Sequence, residues 1–249
     1  MKIRFFSLLL ALPLLTWAQA PRILFDGVSL KGWKILGTGS WTVANGAISG
    51  KLSKSNPQFT QLIFDSVVTD FKVSFQFRHV KGNAGFFFRM EEQNPPPPEN
   101  VLGVQLVIEP TLQSTDAFGL YETNGRGWIK KWDYPALKSL PKSGDWNSVI
   151  ITAHGSSILV EMNGSELVKL DDPTGRRQGE LAFKMHGDQD VEIEFKDVSI
   201  LPAVITGLVS SHRQSGHRPI QVETVWPWKT SIFRIDGRQL TVNALPLSP

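Results

Sequence analysis

The stretch DFKVSFQFR, residues 70–78, sets Phe71, Val73, Phe75 and Phe77 on one side of an extended chain and Lys72, Ser74, Gln76 and Arg78 on the other. A period of two marks a strand with one face on a core and the other toward water. The same period returns on both sides of it. VIITAHGSSILVEMNGSELVKL (149–170) divides into two or three short strands at HGSS and MNGSE, and Asn163-Gly164 supplies the positive φ of a tight hairpin. DVEIEFKDVSIL (190–201) alternates through Val191, Ile193 and Phe195. No window of about eleven residues carries a helical period. Short strands punctuated by Gly and Asn predict an all-β, antiparallel sandwich.

In KGNAGFFFRM (81–90) the alternation predicts Phe86 and Phe88 toward the inter-sheet core, with Phe87 and Arg89 on the opposite, groove-facing side. A guanidinium is expensive in a closed core and useful in an open groove.

The first twenty residues, MKIRFFSLLLALPLLTWAQA, place Lys2 and Arg4 before an apolar run that ends in small residues. This is the layout of a signal peptide, residues 1–18, and is too short to span a bilayer. The expectation is a secreted or periplasmic protein without a membrane span. Removing Lys2 and Arg4 with the signal takes the 26 basic residues to 24 against 23 acidic ones, a net charge of +1. Without a basic stripe, nucleic-acid binding has no support. The chain has no cysteine, hence no disulfide, thiolate nucleophile, Cys-based metal site or lipobox cysteine.

Two loops break the pattern. EEQNPPPPEN (91–100) lacks amide protons at four consecutive positions and reads as a stiff exposed connector. Residues 121–146 read as one long loop rich in aromatic and basic residues, including Trp128, Lys130, Lys131, Trp132 and Tyr134. Trp33, Trp41 and Trp146 stand at strand starts and read as packing residues. Beyond Pro202 the composition shifts. The expected organisation is a sandwich over residues 21–202 and an extension over 203–249, with a linker and one hairpin around Asp236-Gly237.

Several stretches, in order, resemble one family: ILFDGVSLKGWK (23–34), GSWTVANGAISG (39–50), GNAGFFFR (82–89), GVQL (103–106), GDWNSVIITAHGSSILVEMNG (144–164) and GELAFKMHGDQDVEIEFKDVSI (179–200). Together they are similar to the 3-keto-disaccharide hydrolase family. The resemblance implies a concanavalin A-like or laminin G-like jelly roll of two sheets, with sugars oxidised at C3 acted upon at the concave sheet. Gln105, His186, Gly187 and Asp188 match the family's motifs. Gly103 stands where a glutamate is common, and Lys184 where a glutamine is common.

A ketone at C3 acidifies the C2 hydrogen, so cleavage by elimination asks for one base near neutral pH and one cation or donor for the developing enolate. Ordinary glycosidases instead need two carboxyl groups. His186 is the candidate base and Arg89 the candidate cation, the catalytic pair of this reading. Gln105, Glu109, Asn83, Phe87, Trp128, Lys130 and Asp188 are the candidate substrate-binding residues, with aromatics as stacking surfaces for sugar rings. No metal and no cofactor are assigned, since no pair of histidines has ligand spacing. The expected partner is a carbohydrate, a 3-keto-glycoside or oligosaccharide. Two function classes remain: a hydrolase or lyase of 3-keto-glycosides, and a non-catalytic carbohydrate-binding sandwich without the motif's carboxylate.

Overall fold

The computed structural model describes residues 20–93, 101–109, 117–131 and 140–201, with the backbone of residues 202, 205–206, 220–226, 229–236 and 239–244. The expected signal peptide, the proline run, Trp132 and Tyr134 lie outside these residues. Among the described residues every element is a strand, and no helix is long and apolar enough to cross a membrane.

Fifteen strands build a two-sheet antiparallel sandwich. They are β1 (Arg22–Ile23), β2 (Trp33–Leu36), β3 (Ser40–Ala44), β4 (Ala47–Leu52), β5 (Thr60–Val68), β6 (Phe71–Lys81), β7 (Ala84–Glu92), β8 (Val101–Ile108), β9 (Leu120–Thr123), β10 (Gly127–Lys130), β11 (Trp146–His154), β12 (Ser157–Met162), β13 (Ser165–Asp171), β14 (Gly179–Met185) and β15 (Val191–Pro202). One sheet runs β13-β12-β11-β6-β15-β4-β3, with β1 also on β15; the other runs β10-β9-β8-β7-β14-β5-β2.

The period-two reading of residues 70–78 holds at every position: Phe71, Val73, Phe75 and Phe77 are buried, and the residues between them are half-buried. Across the sandwich they meet Phe86, Phe88 and Phe183 from the seven-stranded sheet. Phe183 of β14 stacks on Phe195 of β15 with ring centroids 3.8 Å apart and also touches Trp33, Phe75 and Phe86. Trp33 and Trp41 serve packing, with indole N–H groups donating to the Leu24 carbonyl and the Thr60 hydroxyl. Trp146 lies instead on the polar outer face of the eight-stranded sheet, between the Arg78 guanidinium at 5.1 Å and the Lys196 ammonium at 4.2 Å.

Two expectations are corrected. Residues 121–146 do not begin as a loop: β9 and β10 pair as a hairpin turned at Asn124, whose φ of 54° is left-handed backbone. The tail carries more than one hairpin. β16 (Ile205–Thr206), β17 (Ile220–Trp226), β18 (Lys229–Asp236) and β19 (Gln239–Ala244) form a four-stranded antiparallel sheet in sequence order. The expected hairpin is β18–β19, closed where Asp236 pairs with Gln239.

Phe183→Ala removes the ring that touches both sheets. It is expected to destabilise the sandwich by about 3–5 kcal/mol, read as a lower denaturant midpoint in equilibrium unfolding.

Candidate functional site

Pairing places a row of side chains on the outer face of the seven-stranded sheet. From edge to edge it runs Lys34, Ile63, Ala182, Phe87, Gln105, Tyr121 and Trp128. The next row carries Leu36, Gln61, Lys184, Gly85 and Val107. Since Phe183 and Met185 point into the core, Lys184 points outward, and so does His186 one step beyond the strand end. Phe87 joins Ile63, Met90, Val101 and Ala182 in a second apolar cluster on this outer face, apart from the main core.

At the centre of the face the Lys184 ammonium donates to Gln105 Oε1 at 2.9 Å, with both side chains about 3% exposed. The ammonium also lies 4.6 Å from the centre of the Phe59 ring and 5.7 Å from that of Phe87. Two aromatic faces and an amide oxygen are what a largely desolvated cation needs. Gly85 makes room for the pair, because a Cβ there would sit 2.8 Å from Gln105 Nε2. Phe59 carries His186 as well, edge-on, with centroids 4.4 Å apart. His186 Nδ1 lies 2.8 Å from the Gly187 carbonyl. A carbonyl only accepts, so Nδ1 carries the proton and the neutral ring keeps its lone pair on Nε2.

The sequence candidates thus divide into three sets. Phe87, Gln105 and His186 come together on this face, joined by Lys184, which sequence reasoning noticed only as a departure from a motif. Trp128 stands two strand spacings from Gln105, about 10 Å, with Tyr121 edge-on at 5.1 Å and the Lys131 ammonium over its ring; Lys130 is exposed at the end of the same strand. Asn83 and Glu109 meet elsewhere, at the turn before β7, where Asn83 Nδ2 donates to Glu109 Oε2 at 2.7 Å. Asn83 also accepts from the His186 amide, and its own amide donates to Gln189. Asp188 is an exposed turn residue with φ of 59°. Among the described residues no group of three or more His, Asp or Glu is arranged to hold a metal ion.

Arg89 is not on this face, which corrects its assignment as a groove-facing cation. Its φ is 52°, and the ladder to β8 slips between Phe88 and Glu91. The extra residue of this bulge re-phases the strand, so Met90 takes the outward position and Arg89 turns to the end of the sandwich. The guanidinium is 1% exposed and donates to the carbonyls of Arg176 (2.7 Å) and Gly155 (2.8 Å), with Asp70 at 3.7 Å. Arg176 donates back to the Arg89 carbonyl. Arg89 therefore ties β7 to the β11–β12 turn and the β13–β14 loop. Gly179 was the available signal: a Cβ there would sit 2.5 Å from the Met90 nitrogen, so the bulge demands a glycine opposite it.

Gly103 answers to the same bulge. Any Cβ at this position would lie 2.8 Å from the Met90 Cα, so a glutamate cannot enter without moving β7.

Residues 20–201 match the family described as the 3-keto-alpha-glucoside-1,2-lyase-like domain. The chain belongs to that family. No curated protein matches it. Among solved structures it is similar to a protein named as a candidate glycosyl hydrolase from Parabacteroides distasonis, at 19% identity and a TM-score of 0.53, covering 73% of this chain and 93% of the other. A Bacillus subtilis protein of galectin-like fold aligns at 13% identity and a TM-score of 0.54, over 70% of this chain and 91% of its own. The carbohydrate-binding module CBM66 from Bacillus subtilis aligns at 11% identity and a TM-score of 0.50, over 68% and 94%. These likenesses establish the jelly-roll sandwich of this 3-keto-glucoside-lyase-like chain.

Burial pushes the Asp70 carboxyl up, but the His154 hydrogen bond, the Gly155 amide and the Arg89 charge outweigh it and hold it below the ordinary aspartate value of 3.8. A depressed folded pKa gives stability that is complete above the unfolded value and is lost as pH falls through the folded one. Asp70→Asn is therefore expected to flatten the acid limb of stability below about pH 4. Arg89→Met, which strands two carbonyls, is expected to destabilise by about 2–4 kcal/mol. Denaturant titrations from pH 2.5 to 7 read both effects.

Proposed function

We propose that this chain is an exported, carbohydrate-active member of its family that cleaves 3-keto-glycosides on the outer face of the seven-stranded sheet. The observation that carries this reading is the shared Phe59 ring, with the His186 imidazole on its edge and the Lys184 ammonium 4.6 Å from its centre. A base and a cation thereby border one place on the sheet, beside the amide of Gln105.

The chemistry divides between them. His186 Nε2 takes the C2 proton, and the C2–H electrons form an enolate whose charge rests on the C3 oxygen. The Lys184 ammonium faces that oxygen, the role the sequence reading had given to Arg89. The enolate then collapses, C1–C2 becomes a double bond, the C1–O bond breaks, and the imidazolium returns its proton to the leaving oxygen. Addition of water across the new double bond completes net hydrolysis. Trp128 and Tyr121, at the edge of the same face, offer rings to a second sugar. Residues 1–18 supply export in this reading.

The second reading, a sugar-binding sandwich without turnover, is favoured by Gly103, where the fold has no room for the family's common glutamate. The assay is incubation with a p-nitrophenyl 3-keto-glucoside, following aglycone release, alongside calorimetry with the same sugar. Turnover is expected, reduced by roughly 10²–10⁴-fold in His186→Ala and by about 10²–10³-fold in Lys184→Met. Binding without release by the wild type establishes the second reading instead.

A further inference from the structure

Lys184 and His186 leave the same end of β14, and the strand alone does not fix where their side chains point. A lysine stem is flexible, so its ammonium keeps one place only where other groups hold it. Gln105 Oε1 is one hold and the Phe59 ring another, and the same ring meets the His186 imidazole with centroids 4.4 Å apart. Phe59 comes from elsewhere in the chain, as the last residue before β5, so its own placement needs a cause.

Both neighbours of Phe59 are fixed. After it, Thr60 is buried, its hydroxyl donating to the Leu36 carbonyl and accepting from the Trp41 indole, each at 3.1 Å. Before it, residues 53–58 dock on the β14–β15 turn, residues 186–190. The Asp188 amide donates to the Asn56 carbonyl, and the Lys54 amide to Asp190 Oδ1, both at 3.0 Å. Asn56 Oδ1 receives the Gln58 amide at 3.0 Å, which closes the loop just ahead of Phe59.

Gly187 marks the closest approach of loop and turn. It is buried, and a Cβ there would sit 2.4 Å from the Pro57 carbonyl oxygen, 2.7 Å from its carbon and 2.9 Å from the Gln58 carbonyl carbon. All three atoms are backbone, so no rotamer change relieves the clash. Bringing the oxygen from 2.4 Å to the ordinary 3.4 Å moves the segment that leads into Phe59 by about 1 Å. The φ of Gly187 lies outside the left-handed region, so close approach rather than backbone freedom demands the glycine.

We propose that Gly187 is a positioning residue for the cleavage: it lets the β4–β5 loop close on the β14–β15 turn and so sets the Phe59 ring against both His186 and Lys184. Its kinetic consequence rests on the cleavage reading above; the placement of the ring does not. A displacement of about 1 Å away from the reacting atoms costs up to roughly 10²-fold in rate. Where the misplaced groups act in the transition state, the loss falls on kcat and leaves KM nearly unchanged.

Kinetics with the p-nitrophenyl 3-keto-glucoside and proton NMR of the same variants test it. Gly187→Ala is expected to lower kcat by roughly 10–10²-fold at a KM within about twofold of wild type. Phe59→Leu is expected to lower it at least as far, and the double variant no further than Phe59→Leu alone, since residues that act through one contact are not additive. Asp190→Ala, at an exposed position, frees the Lys54 amide and is expected to lower kcat severalfold, and Asp190→Asn, which keeps an acceptor oxygen, to restore it. In the NMR spectra the His186 ring protons and the Lys184 side-chain protons next to the ammonium are expected to shift in Gly187→Ala toward their Phe59→Leu positions, as loss of the Phe59 ring current requires. The proposal is overturned if those resonances stay at their wild-type positions, if Gly187→Ala leaves kcat unchanged, or if the losses in Gly187→Ala and Phe59→Leu multiply in the double variant. A wild type that releases no aglycone removes the cleavage reading instead, and the NMR shifts then decide the placement alone.

Discussion

The contact between Phe183 and Phe195 is the constraint on which the rest of the sandwich depends. Two sheets packed face to face stand about 10 Å apart, and their inner side chains must interdigitate. Phe183 does this from β14, and it also meets Phe75, Phe86 and Trp33. Once its ring is inside, the pleat leaves Ala182, Lys184 and His186 only the outer side of the sheet. The make-up of that outer face is thus a consequence of core packing: a one-residue slip of β14 would bury a lysine and a histidine among phenylalanines.

Bulges then decide which neighbours that face acquires. In β15 the ladder to β6 slips between Lys196 and Ser199, with Asp197 at a φ of 53°. Val191, Ile193 and Phe195 point inward before the slip, and Val198 and Ile200 after it. In β7 the same device at Arg89 exchanges an outward arginine for an outward methionine. A charged group at an interior strand end is tolerable here because two carbonyls and a carboxylate receive it.

Alternation alone made the sandwich legible, and wherever the ladder is regular it also assigned faces correctly: Phe71, Val73, Phe75 and Phe77 inward, Phe86 and Phe88 inward, Phe87 outward. It failed at Arg89 because a bulge leaves no mark in a hydrophobic pattern, and its trace, Gly179, lies about ninety residues away on another strand. The hairpin β9–β10 was hidden for a different reason. Each strand has four residues, too few for a period to register amid glycine and lysine. Lys184 was visible as a residue but not as a partner, since its pairing with Gln105 joins positions 79 apart in the chain.

The position of Lys184 also alters the weight of the missing glutamate. Elimination from a 3-keto sugar needs a proton acceptor and charge stabilisation at one oxygen, and an imidazole with an ammonium supplies both without any carboxylate. A glutamate at position 103 would stand on the same face as Gln105, two residues along β8, but its Cβ would already meet Met90. A carboxylate beside an ammonium favours its charged form, yet offsets its field at a developing enolate. Glycine at 103 and lysine at 184 are therefore compatible with each other on one face: the bulge that excludes a side chain at 103 also keeps a carboxylate away from that position.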